Sequence, residues 1–254
     1  MKKKILLFIC LITFLSNCIF AEIVGLNFTI DDPNIKPESV EYYLLCIEQC
    51  FKLNSIKFAE EYIKEAKEKY PDNIDILLSA GDIFYYQGMP QDEYDYYVEL
   101  LKKYPKEYKI YTKKSYTDFD LGKKDEYLKD LLTADKLHKN NAEILGNIGL
   151  AYLDIEDFKN AEKYLMKSYK IDNKLTSTLN NLASMNYQME KYDKALEWAE
   201  KSLEINSENS YTYRILGYIY KALGRIEESN EAFSKVKYIN YIHNSTAGQV
   251  RLFI

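Results

Sequence analysis

The sequence predicts an all-α protein, a solenoid of about six helix–turn–helix units. Three observations carry this reading. Residues 142–175, 176–209 and 210–243 align with one another at an offset of 34 without a gap, and the same step backwards starts earlier units at Tyr108, Ile74 and Val40. Fixed positions of the unit hold fixed chemistry. Between them, apolar residues recur at helical spacing, as Ala161, Tyr164, Leu165, Ser168 and Tyr169 do along one face. Neither helix of a unit can bury its apolar stripe alone, so stacked units share a continuous core.

Composition narrows the function classes. With 47% apolar and 29% charged residues, nine Gly and five Pro in 254, the chain has the balance of a folded protein. The formal charge of −5 lacks the basic excess of a nucleic-acid binder, so no nucleic-acid partner is expected. His138 and His243 stand far apart, which argues against a histidine-rich metal site and a histidine-based triad. No phosphate loop, metalloprotease helix or nucleophile elbow is present. The expectation is a non-catalytic protein with no metal and no cofactor.

Residues 1–21 read as an export signal. Met1 to Lys4 is cationic, Ile5 to Phe14 is almost wholly apolar, and the run weakens towards Ala21. This is short of the roughly 20 apolar residues of a membrane span. Two processing sites compete. Leu15-Ser16-Asn17-Cys18 resembles a lipobox, with Asn17 where a smaller residue is usual, and would anchor the chain to a membrane through lipid on Cys18. Ile19-Phe20-Ala21 would instead release a soluble periplasmic form. Either way the protein is expected in the cell envelope. Residues 22–39, with Asp31-Asp32-Pro33 and Lys36-Pro37, read as an extended leader that ends at Ser39 as a helix N-cap. Asn27-Phe28-Thr29 and Asn244-Ser245-Thr246 fit the common glycosylation pattern.

The six units fill residues 40–243. Position 4 is large throughout, from Tyr43 to Tyr213, and position 24 is apolar throughout, from Ile63 to Phe233. Position 8 is small in all but the first unit: Gly81, Ser115, Gly149, Ala183 and Gly217. A small residue there lets two helices approach closely. Position 20 is Ala59, Ala161, Ala195 and Ser229, but Glu93 and Tyr127 in units two and three. Gly88, Gly122 and Gly224 at position 15 suit a helix end with positive φ, and Pro71 and Pro105 at position 32 punctuate the step to the next unit. Pro90 falls at the first turn of a helix, where proline is tolerated. Cys46 and Cys50 lie four apart on one helix face of unit one and read as buried small hydrophobes. Unit three is the poorest, because Lys114 and Asp118 stand where an apolar residue and an aromatic are expected; it should be locally irregular or shifted in register. Residues 244–254 read as a tail whose Val250, Leu252, Phe253 and Ile254 cover the open end of unit six or dock elsewhere.

Ile148-Gly149, Tyr152, Phe158, Ala161 and Leu165, and again Leu216-Gly217, Tyr220, Gly224 and Phe233, fall at the spacing of the tetratricopeptide repeat, which the chain resembles over about four-fifths of its length. The resemblance implies a right-handed superhelical solenoid that binds another protein or a peptide segment in its inner groove. It also implies that the groove is lined by the first helix of each unit at positions 2, 5, 9 and 12 or 13. The candidates are then Leu44, Glu48 and Phe51, then Asp82, Tyr85 and Tyr86, then Tyr116 and Phe119. Leu150 and Leu153, Asn180 and Tyr187, and Tyr211, Arg214 and Tyr218 complete the set. Tyrosine joins a large apolar area to a polar tip, which suits protein recognition. The family's site for a terminal carboxylate needs Asn at position 9, where Asp82, Tyr116, Leu150, Ser184 and Tyr218 stand, so that activity is not expected. Two alternatives stay open: self-assembly of one copy's last unit on another's first, and a glycan-active enzyme using Glu48 or Asp82.

Overall fold

The first helix begins where a side chain can satisfy the open backbone donors of a helix start. Ser39 accepts a hydrogen bond from Tyr42 N at 3.2 Å, and α1 runs Val40–Lys52. The computed structural model describes residues 35–246, with side chains through Ile239. Residues 1–21 read as an export signal, Cys18 with the segment read as a lipobox, residues 22–34 of the segment read as a leader, and residues 247–254 of the tail lie outside the described residues. So does the Asn244 side chain.

Eleven more helices follow. They are α2 (Ile56–Lys69), α3 (Ile74–Gln87), α4 (Pro90–Lys103), α5 (Tyr108–Asp120), α6 (Lys124–Leu137), α7 (Ala142–Asp154), α8 (Phe158–Ile171), α9 (Thr176–Gln188), α10 (Tyr192–Ile205), α11 (Ser210–Ala222) and α12 (Ile226–Thr246). There is no strand among the described residues, and the fold is an all-α helical repeat. The odd-numbered helices start 34 residues apart, at Val40, Ile74, Tyr108, Ala142, Thr176 and Ser210. Among the described residues, no helix is long and apolar enough to cross a membrane.

The chain divides into two compact units, Met1–Ile76 and Leu77–Ile254. In the first, α1 packs on α2 around Tyr43, Ile47, Ile63 and the two cysteines. Cys46 and Cys50 are buried free thiols, and burial pushes them up to about 11 and about 12, so neither is a nucleophile at neutral pH. Tyr43 donates to Glu65 at 2.6 Å and accepts from Lys69 at 2.8 Å, closing the edge of this small core.

In the second unit three hairpins close by a glycine meeting a large residue. A Cβ on Gly81 would fall 2.6 Å from the Tyr97 ring, on Gly149 2.6 Å from Leu165, and on Gly217 2.6 Å from Phe233. These are position 8 against position 24, so in these three repeats the helices touch closely at one point. The hairpin turn has a constant backbone too. Gly88, Gly122 and Gly224 have φ of 71°, 71° and 74°, and Glu156 and Glu190 take the same position 15 at 59° and 58°. Consecutive hairpins stack, α6 on α7, α8 on α9 and α10 on α11, and the first helices also touch, α7 with α9 and α9 with α11.

The third repeat departs from the irregularity its sequence suggests. α5 and α6 are regular and keep the period. Lys114 and Asp118 are buried, and Lys114 Nζ lies 2.9 Å from Asp118 and 2.9 Å from Asp130. The ammonium also sits 4.5 Å from the Tyr94 ring centroid. An ion triad thus stands where the fourth repeat has Ile148 and Tyr152. Burial lowers the Lys114 ammonium, but its hydrogen bonds to Asp130 and Asp118 outweigh this and leave it raised. Burial pushes Asp118 up to about 6, against the pull of Lys114 and with Asp130 adding to it: two carboxylates share one cation. At the C-terminal end, α12 continues through Thr246, so the segment read as a tail begins inside a helix.

Candidate functional site

The first helices of repeats three to six present a cavity of about 390 Å³. Tyr116 and Phe119 of α5 and Tyr127 of α6 form one wall. Glu143, Asn147 and Leu150 of α7 form the middle. Leu175 and the start of α9, with Thr176, Ser177, Asn180 and Asn181, form the other side, closed by Asn209 and Tyr211. This size and this mixture of aromatic walls with a few placed polar groups are those of a binding site.

Local structure fixes the wall. Asn209 caps α11 by accepting from Tyr211 N and Thr212 N at 3.1 and 3.2 Å, which sets the Tyr211 ring at the helix start. Asn147 donates to the Tyr116 hydroxyl at 2.9 Å. Burial pushes the Tyr116 phenol up, with that hydrogen bond opposing it, so the hydroxyl stays neutral. Asn180 is 2% exposed and accepts from Thr212 Oγ1 at 2.9 Å, and Asn181 is 6% exposed. Charge is scarce: α9 contains no charged residue, and Glu143 on the exposed lip is the ionisable carboxylate of the lining.

Of the groove candidates, Tyr116, Phe119, Leu150, Asn180 and Tyr211 line this cavity together. Arg214 stacks over the Tyr211 ring at 4.9 Å, beside the cavity. Tyr187 and Tyr218 pair at 6.4 Å outside the lining, and Tyr218 meets Phe233 edge-on at 5.2 Å. Leu153 is not on the open face; it belongs to the core with Ala161, Leu165, Leu182 and Met185. Further along the second unit, Asp82 pairs with Lys113 at 2.6 Å, and Tyr85 and Tyr86 pack edge-to-face at 5.4 Å. In the first unit Leu44 is half-buried, Phe51 is in the core, and Glu48 is exposed and paired with Lys52 at 2.5 Å. Both carboxylates of the glycan-active alternative are thus engaged by lysines.

Eight lining residues lie outside the groove candidates, and five of them carry a signal in the sequence. Glu143 and Ser177 occupy position 2 of their units, a position already assigned to the groove. Asn147 and Asn181 share position 6, which the rule omits. Tyr127 comes from a second helix: at position 20, where four repeats carry Ala or Ser, its large ring reaches through to the first-helix face.

A second cluster lies between α3, α4 and α5. Glu93, 5% exposed, takes the other bulky position 20. Burial pushes its carboxyl up to about 7, with the Asp82 charge adding and Lys113 opposing, and it hydrogen-bonds Thr117.

Comparison with known proteins finds a known repeat in the second half of the chain. Models described as tetratricopeptide repeat match residues 175–208, and 142–175 with 212–243. The TPR repeat-containing protein MJ1428 of Methanocaldococcus jannaschii is 27% identical over 192 residues, 69% of this chain and 34% of that one. The human cell division cycle protein 16 homolog is 26% identical over 99 residues, 35% of this chain and 16% of that one. The chain therefore spans about a third of the length of the first relative and less of the second. Among solved structures, the APC/C hetero-tetramer Cut9-Hcn1 superposes with a TM-score of 0.70 at 15% identity, over 80% of this chain and 40% of that one. Pseudomonas aeruginosa pilF gives 0.63 at 15% identity, over 81% and 95%. MamA gives 0.53 at 22% identity, over 65% and 96%. These likenesses show the fold.

Proposed function

We propose that this chain, a tetratricopeptide repeat protein, is a non-catalytic scaffold that holds an extended segment of another polypeptide on the first-helix face of repeats three to six. The observation that carries this reading is the cavity bounded by Tyr116, Phe119, Leu150 and Tyr211, with buried asparagines in its wall. Aromatic area beside amide groups suits a polypeptide, which brings apolar side chains and backbone hydrogen-bonding groups together. Affinity capture with the full chain tests it. A partner held by the wild type and lost on Leu150→Glu, in a variant with unchanged circular dichroism, is the expected result. A partner held equally by both moves the site elsewhere.

The cell-envelope location belongs to the same proposal and rests on the sequence of residues 1–21 alone. Radiolabelled palmitate incorporated by the wild type and not by Cys18→Ser supports the lipoprotein form. Export without label supports the soluble form, and retention in the cytoplasm rejects both. Self-association is a second reading, supported by Tyr238 and Ile226 of α12, which are 62% and 51% exposed. A monomer by light scattering at high protein concentration rejects it.

A further inference from the structure

Two neighbouring side chains in the cavity wall have hydrogen-bonding capacity that the fold leaves unused. Asn180 spends its Oδ1 on Thr212, and its Nδ2 has no acceptor among the described residues. The Asn181 side chain makes no hydrogen bond among them. Both residues are more than nine-tenths buried, and both line the cavity. Nearby asparagines differ. Asn147 donates to Tyr116, Asn186 donates to Leu182 O at 2.8 Å, and Asn141 and Asn209 cap helices. Amide groups that the fold leaves unpaired beside one cavity are available to a ligand group.

The open atoms define that group. Asn180 offers a donor, and Asn181 offers donors and an acceptor. A group that both accepts and donates would pair with the two side chains together. A carboxylate accepts but cannot donate to Asn181 Oδ1, and it would meet Glu143 at the lip. An ammonium donates but cannot accept. A primary amide does both, and the rings of Tyr116 and Tyr211 with Leu150 suit the methylenes that carry it. We propose that the cavity is a specificity pocket for a glutamine or asparagine side chain of the bound polypeptide segment. This rests on the reading of the first-helix face as a polypeptide site.

The test uses a phage-displayed library of random linear peptides, selected on the full chain. Synthetic copies of a recovered peptide are then made with its shared Gln replaced by Glu or by Met. The expected result is a shared Gln or Asn, and binding weakened about tenfold by either replacement. On Asn181→Leu, all three peptides should bind within about threefold of one another. Where Asn181→Leu fails to fold by circular dichroism, Asn181→Ser is read in the same way. Peptides that are lost on Leu150→Glu but show no amide preference overturn the specificity pocket and leave the polypeptide site standing. Recovery of no peptide, or only of peptides indifferent to Leu150→Glu, overturns both.

Discussion

Gly149 and Leu165 meet with no room for a methyl group between them: a Cβ on Gly149 would lie 2.6 Å from Leu165 Cδ2. The same contact joins Gly81 to Tyr97 and Gly217 to Phe233, so one crossing point sets the spacing of three hairpins. Gly149→Leu should destabilise the protein by about 1–3 kcal/mol, the usual cost of overpacking. Denaturant unfolding reads this directly. An unchanged midpoint would mean that α7 and α8 do not meet at that point.

The hairpin turn predicts a stabilising change. Glu156 and Glu190 hold φ of 59° and 58°, a region that costs a residue with a side chain about 1–2 kcal/mol. Glycine removes that strain but adds about 0.4–1 kcal/mol of unfolded-state entropy. Glu156→Gly should therefore raise stability by a few tenths of a kcal/mol to about 1 kcal/mol. A lower unfolding midpoint would contradict the turn geometry.

The triad of repeat three predicts a large loss for one substitution and a smaller one for three. Lys114→Met leaves Asp118 and Asp130 buried without their cation and should cost about 3–5 kcal/mol. Replacing all three residues by apolar ones of similar volume should recover most of that loss. If Lys114→Met melts like the wild type, the ammonium is not in the core.

Stability should fall as pH rises towards neutrality. The carboxyls of Glu93 and Asp118 are raised in the folded protein, to about 7 and about 6, above their usual values. The native state therefore binds more protons than the unfolded chain between those values, and unfolding releases them. The stabilisation is complete below the unfolded pKa values and is lost as pH climbs through the folded ones. Asp82, Lys113, Asp120 and Thr117 face Glu93 and set its part. Thermal melts should show a higher Tm at pH 5.5 than at pH 8, and Glu93→Gln should reduce that difference. A Tm that rises over this range would reverse the sign and refute the buried cluster.

The helical class was legible because apolar residues recur at helical spacing and a 34-residue period makes each fixed position comparable with the next. The close contact at Gly149 was legible from its small size alone. The rest was hidden for physical reasons. Glycine advertises the left-handed turn at Gly88, but Glu156 shows that the packed hairpin imposes the same turn on a residue that gives no such signal. Lys114 and Asp118 look like flaws until Asp130, on the next helix, completes their pairing. At the site, Phe119 and Leu153 hold the same repeat position, yet one lines the cavity and the other fills the core. A periodic rule sees the helix face and not the local packing. Tyr127 escaped because a large ring at a position of small residues crosses from the second helix to the face of the first.

The most direct measurement places a photo-crosslinking amino acid at Leu150, in the cavity, and separately at Glu162, on the exposed side of α8. Irradiation of cells making the full chain should yield a polypeptide adduct from position 150 that is absent from position 162 and that disappears with Tyr211→Ala. An adduct from position 162 alone would contradict the account, because the partner would then be held by the second helices.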